Sequence, residues 1–117
     1  MTLVIYGIPN CDSVKKARKW LEGEGIDYRF YDLRADGLTR EMLGEWADVC
    51  GWHSLLNKRS ATFRGLSDDE KRIDEREEAL ALMEGNPTLV KRPVATHEDG
   101  DRVLVGFNQS EWENAFG

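Results

Sequence analysis

Two cysteines, Cys11 and Cys50, are the side chains best able to do covalent chemistry, and their surroundings differ. Cys11 stands in Gly7-Ile8-Pro9-Asn10-Cys11-Asp12-Ser13-Val14-Lys15-Lys16, between the apolar run Leu3-Val4-Ile5-Tyr6 and a basic amphipathic segment. The apolar run reads as a buried strand. Gly7 and Pro9 punctuate a turn, and a helix begins at or just after Cys11. Free amide hydrogens at a helix N-terminus stabilise an anion, and a thiolate is an anion. An ordinary thiol is only about 3% thiolate at neutral pH, and lowering its pKa by about two units takes roughly 2.7 kcal/mol. A helix terminus contributes about 0.3–1 kcal/mol, or ~2 kcal/mol in a favourable, partly buried site. Nearby cations must supply the rest. Lys15, Lys16, Arg18 and Lys19 lie on the helix, with Lys15 placed to reach back to the thiol. Asp12 opposes them if it points inward. The competing reading of Cys11 is a half-buried structural cysteine at a turn.

The other reactive side chains offer less. Cys50 follows Val49 on the apolar side of a helix and reads as a buried structural thiol rather than a resolving partner. His53 and His97 are not spaced as metal ligands with the cysteines, so no metal site is expected. His97, on a hairpin strand, reads as a surface residue. Gly7 stands without the further glycines of a phosphate-cradling loop. The tryptophans at positions 20, 46, 52 and 112 sit at helix-face spacings and read as core or partly core.

The elements that must position Cys11 follow from periodicity and punctuation. A helix is expected from about Ser13 to Glu24, with Val14, Ala17 and Leu21 as its apolar stripe and Gly25 closing it. Asp27–Leu33, rich in Tyr and Phe, reads as a second strand. Strand, helix, strand at this spacing predicts two parallel strands. Thr39 caps a helix through Val49, with Met42, Leu43, Trp46 and Val49 or Cys50 inward and Gly51 at its end. Trp52 to Leu56 reads as a short helical piece, and Lys58 to Gly65 as a basic loop. Ser67-Asp68-Asp69-Glu70 is a capping box opening a helical region that breaks near Asp74. Gly85-Asn86-Pro87 stops it. Val94–His97 and Arg102–Val105 form a hairpin across Asp99-Gly100. Asn108-Gln109-Ser110-Glu111 is a second capping box, before Trp112 and Phe116. This order gives an α/β chain: a thioredoxin-like sandwich with a mixed four-stranded sheet and a helical insertion over about 38–85.

With 117 residues, 40% of them hydrophobic, one globular domain over 1–117 is expected. No apolar run approaches the roughly 18 residues of a membrane span. The N-terminus opens directly on a strand, so no signal peptide is expected. Two widely separated cysteines do not make a disulfide framework, which fits a reducing, cytoplasmic location. The net charge of −6 argues against direct nucleic-acid binding. Acidic residues crowd positions 68–84, while cations gather near Cys11, at Lys58, Arg59 and Arg64, and at Lys91 and Arg92. Cations concentrated near a thiol in an acidic protein suggest a small anionic ligand.

The segment Tyr6-Gly7-Ile8-Pro9-Asn10-Cys11-Asp12-Ser13-Val14-Lys15-Lys16-Ala17 resembles the arsenate-reductase-like (ArsC/Spx) family, and within it the YffB-type branch. Asp27-Tyr28-Arg29-Phe30, Asp36-Gly37-Leu38, Leu55-Leu56-Asn57-Lys58-Arg59, Lys91-Arg92-Pro93 and Leu104-Val105-Gly106-Phe107 extend the resemblance, in order, over nearly the whole chain. It implies that Cys11 is the catalytic cysteine, that Arg92 binds an anion beside it, and that Pro93 occupies the thioredoxin-fold cis-proline position. X–Pro is the one peptide type that adopts cis cheaply. Asn10, Lys15, Arg59, Lys91, Arg92 and Pro93 are the implied substrate- or glutathione-binding residues. Two departures bear on substrate. Glutathione-dependent arsenate reductases carry further arginines. One falls where this chain reads Leu56-Asn57-Lys58-Arg59, so Arg59 substitutes only if the loop shifts. Another falls at Val105-Gly106-Phe107. Losing it removes a charge-assisted donor to an oxyanion. The Cys-x-x-Cys switch of Spx-type regulators is also absent, because Val14 stands three after Cys11.

Three functions are therefore weighed. The leading one is a glutathione-dependent thiol–disulfide oxidoreductase with one nucleophilic cysteine, no bound cofactor, and glutathione as co-substrate. Its substrate would be a disulfide, a glutathionylated thiol or an oxyanion. The second is an Spx-like regulator docking on RNA polymerase, with the acidic helix around 68–84 as its contact surface. The third is arsenate reduction.

Overall fold

A computed structural model describes residues 3–97 and 102–116. In chain order the elements are β1 (Leu3–Gly7), α1 (Asp12–Gly23), β2 (Tyr28–Asp32), α2 (Arg40–Cys50), α3 (Trp52–Leu55), α4 (Ala61–Arg64), α5 (Asp68–Lys71), α6 (Arg76–Gly85), a 3-10 turn at Pro87–Leu89, β3 (Val94–His97), β4 (Val103–Val105) and α7 (Gln109–Phe116). Backbone contacts divide the chain into two compact units. One is made from its two ends, up to Gly37 and from Arg92 onward, and the other is Leu38–Lys91.

The first unit is a mixed four-stranded sheet in the order β2-β1-β3-β4. β1 and β2 run parallel, Leu3 opposite Tyr28 and Gly7 opposite Asp32. α1 is the crossover that a parallel pair requires. β3 pairs antiparallel with β1, Tyr6 opposite Val94, and β4 antiparallel with β3. The Asp99-Gly100 turn expected between β3 and β4 lies outside the described residues. Side chains alternate along β1, so Leu3 and Ile5 point into a core completed by Ala95 of β3, Ala17 and Leu21 of α1, and Trp112 of α7. Val14, Ala17 and Leu21, three and four residues apart, are the buried stripe of α1. Trp112 is fully buried, and the rings of Trp20, Phe107 and Phe116 meet it edge-on at 6.3, 5.1 and 5.6 Å. Burying so large an apolar side chain contributes about 3 kcal/mol before the ring contacts are added.

α1 ends where the sequence provides for it. Gly25 has φ +69. The Gly25 amide donates to Glu22 O at 3.2 Å and the Ile26 amide to Leu21 O at 2.9 Å, which closes the last carbonyls in a Schellman arrangement.

The Leu38–Lys91 unit is helical, with one isolated bridge, Leu56 to Val90. Thr39 caps α2 by accepting from the Met42 amide at 3.1 Å. Arg76 ties α6 to α2, donating to Asp48 Oδ1 at 2.7 Å and Gly44 O at 3.1 Å. The Ser67/Glu70 capping box is present, but it opens only the four-residue α5. A new helix, α6, begins past Asp74. One expectation needs correction here, and one open alternative is resolved. Lys58 to Gly65 is not wholly a loop, because Ser60 accepts from the Phe63 amide and starts α4. Of the alternatives Val49 or Cys50, Val49 is 46% exposed and Cys50 is the half-buried one, while Leu43, Trp46 and Ala47 carry the buried face of α2.

Gly25→Ala places a side chain at a left-handed backbone position. We expect it to cost about 1 kcal/mol of stability, read as a lower denaturation midpoint with unchanged slope. An unchanged midpoint would show that the α1 terminus does not need this glycine.

Candidate active site

The end of β1, the start of α1 and the start of β3 meet at one place for a topological reason. Because β3 runs antiparallel to β1, its first residue Val94 lies opposite Tyr6, near the C-terminal end of β1. Arg92 and Pro93, just before β3, are thereby delivered to the end of the sheet where α1 begins.

Cys11 is the N-cap residue of α1, in extended conformation (φ −88, ψ 129). Its amide donates to Ile8 O at 3.1 Å, which fixes the Ile8–Cys11 turn, and its carbonyl accepts the first helical bond from Lys15 at 3.0 Å. The thiol is free and half-buried. Its side chain forms no cap hydrogen bond of ordinary geometry, yet the first-turn amides favour its charged form. Burial pushes the Cys11 thiol up. The Val14 amide, the Arg92 guanidinium and the Ser13 amide together pull it further down, so its pKa lies below the ordinary cysteine value. Asp12 is exposed.

Arg92 does more than face the sulfur. Its Nε and Nη1 are buried and have no hydrogen-bond partner among the described residues. Leaving such donors unpaired is costly, and the usual occupant of a cationic fork of this kind is a carboxylate or another oxyanion. The Arg92–Pro93 peptide is cis. Pro93 is buried, and its carbonyl accepts from the Gly106 amide at 2.8 Å. Gly106 has φ +75, and its carbonyl accepts from the Trp112 indole N–H at 3.1 Å. Sequence reasoning did not find this chain of bonds from α7 to the Arg92–Pro93 corner. Its one signal is a glycine placed directly after a strand.

The other expected site residues are placed as follows. Asn10 is exposed in the turn before Cys11, and Lys15 is exposed on the first turn of α1. Arg59 and Lys91 belong to the Leu38–Lys91 unit and are both exposed there. The Arg59 amide donates to Asn57 Oδ1 at 3.1 Å and the Lys91 amide to Leu55 O at 2.8 Å. Cys50, in the same unit, contrasts with Cys11. Burial pushes its thiol up, and the nearest acceptor is its neighbour's carbonyl, Gly51 O, at 3.5 Å. His97 is not the surface residue that its hairpin position suggested. It is half-buried, its ring meets Phe116 at 5.2 Å, and its Nδ1 is buried. Among the described residues no group of His, Cys, Asp and Glu is arranged to hold a metal ion, and no helix is long and apolar enough to cross a membrane.

A thiol at the mouth of α1 on a β1-α1-β2 unit, with a cis-proline corner opposite, defines a thioredoxin-like α/β protein. Comparison with known proteins narrows the class. The ArsC family model matches residues 6–115, and the chain belongs to that family. It is 43% identical over 114 residues to an uncharacterized protein of Haemophilus influenzae, covering 97% of this chain and 98% of that one. It is 30% identical over 111 residues to the global transcriptional regulator Spx of Listeria innocua, covering 93% and 82%. The solved structure of the YFFB protein superposes with a TM-score of 0.91 at 40% identity, covering 98% of this chain and 99% of that one. The fold is thus that of the ArsC family's thiol oxidoreductase-like proteins.

Because the folded state lowers the Cys11 pKa, ionised Cys11 stabilises the fold above the unfolded thiol's pKa. That contribution fades as pH falls through the folded value. Denaturation of wild type and Cys11→Ser at about pH 6 and about pH 10, on either side of the ordinary cysteine range, should show wild type gaining on the variant at the higher pH. Arg92→Gln should shrink that gain. An equal difference at both pH values would mean that Cys11 is not perturbed.

Proposed function

We propose that the protein is a glutathione-dependent thiol–disulfide oxidoreductase working through the single nucleophile Cys11. The observation that carries this reading is the pairing of a lowered thiol with an arginine whose buried donors lack a partner. The thiolate attacks one sulfur of a disulfide or a glutathionylated thiol. The substrate S–S bond breaks, a Cys11–sulfur bond forms, and the departing thiolate takes a proton from water. Glutathione thiolate then attacks the sulfur held by Cys11, so that Cys11 leaves as thiolate. With a glutathionylated substrate the product is glutathione disulfide, and with another disulfide it is a glutathione mixed disulfide that a second glutathione reduces. Cys50, with its raised thiol, takes no part.

Arg92 has the donors to hold a glutathione carboxylate while favouring the thiolate. Asn10 and Lys15 flank the thiol in sequence, and the backbone at Pro93 is a further surface for an extended peptide. Arg59 and Lys91 are the remaining binding residues of this reading. The reading uses glutathione as co-substrate and calls for no bound cofactor, and two free cysteines fit a reducing, cytoplasmic setting.

A second reading rests on the likeness to the regulator Spx: a binding protein that contacts RNA polymerase. Arsenate reduction is weaker, because Val105-Gly106-Phe107 offers no arginine side chain.

Intact mass after brief exposure to glutathione disulfide at neutral pH separates these readings. Wild type should gain one adduct, mapped to Cys11 and reversed by reduced glutathione, while Cys11→Ser gains none. A Cys11 that reacts no faster than a free cysteine would remove the enzyme reading and leave the binding one.

A further inference from the structure

Gly7 is the last residue of β1 and is buried. Its φ is not positive: Gly25, Gly37, Gly51 and Gly106 are the described glycines with left-handed backbone. Backbone freedom therefore does not explain a glycine here; space does. A Cβ on Gly7 would lie 2.6 Å from Val14 Cγ2 and 3.3 Å from Val14 Cγ1, the first far inside van der Waals contact. Neither partner can yield easily. The Gly7 carbonyl accepts from the Leu33 amide at 2.9 Å, and Gly7 stands in register with Asp32 of β2. Val14 is fully buried, and a β-branched side chain in a helix keeps essentially one rotamer. An added methyl must displace the first turn of α1 itself.

That turn carries the amides of Ser13 and Val14 that act on Cys11. We propose that Gly7 is a positioning residue for Cys11: its bare α-carbon lets Val14 seat against the end of β1 and so holds the first-turn amides on the sulfur. The inference rests on Cys11 being the reacting thiol, but not on glutathione being its partner. Gly7 and Val14 act as a matched pair, and their fit is steric.

The test is the pH dependence of iodoacetamide alkylation of Cys11, followed by mass, for wild type, Gly7→Ala and Gly7→Ala/Val14→Ala. In Gly7→Ala the alkylation midpoint should rise, and the rate at neutral pH should fall about threefold or more, the change that half a pKa unit makes in thiolate fraction. The double variant, with the clashing methyls removed, should recover most of that loss although its core carries a cavity. If Gly7→Ala does not fold, the double variant decides: a folded protein with a wild-type midpoint supports the pairing. Gly7→Ala with wild-type pH dependence overturns it, as does a double variant displaced as far as the single one, or a double variant that also fails to fold. A wild-type midpoint equal to that of a free cysteine would instead overturn the reading of Cys11 on which the pairing rests.

Discussion

The structure turns on a contest over one sulfur. Burial alone would hold Cys11 neutral, and two backbone amides and a guanidinium together outweigh it. None of these groups is close to Cys11 by accident of local sequence. The amides are there because α1 starts where β1 ends. The guanidinium is there because β3 returns antiparallel beside β1 and opens with Arg92 and Pro93. The sheet order β2-β1-β3-β4 is in this sense the device that brings residue 92 to residue 11.

Much of this was legible in the chain. The run Leu3-Val4-Ile5-Tyr6 followed by Gly7 and a basic amphipathic stretch announced strand, turn and helix, and the expected parallel pairing of β1 with β2 is observed. Gly25, Thr39 and Ser67 mark helix termini because each supplies a local backbone need that no distant residue can override. Legibility failed where the deciding partner is remote. Which of Val49 and Cys50 turns inward on α2 is set by packing that the local sequence leaves open, and it is Cys50 that is half-buried. His97 sits on a strand, but Phe116 from α7 covers it. The cation acting on the thiol is Arg92, eighty-one positions away in sequence; the family resemblance pointed to it, whereas the local run of lysines after Cys11 pointed to Lys15, which is exposed.

The Arg92–Pro93 corner is held from behind. Trp112 fills the core, and its indole N–H fixes the Gly106 carbonyl, while the Gly106 amide fixes the Pro93 carbonyl. One residue thus serves core and site together. The same arrangement constrains what position 106, just past β4, can carry. Gly106 has φ +75, so a side chain there would meet backbone strain, although a Cβ would touch no atom within 4 Å. The glycine there is a commitment of the backbone rather than a free choice of side chain.

Cys11 and Cys50 lie in different compact units and are perturbed in opposite directions. One sulfur is thus held toward its thiolate form and the other away from it. An electrophile in limited supply partitions largely by thiolate fraction, which favours the helix terminus over the second thiol. That bias toward position 11 is written into the native sequence, before any cysteine is removed.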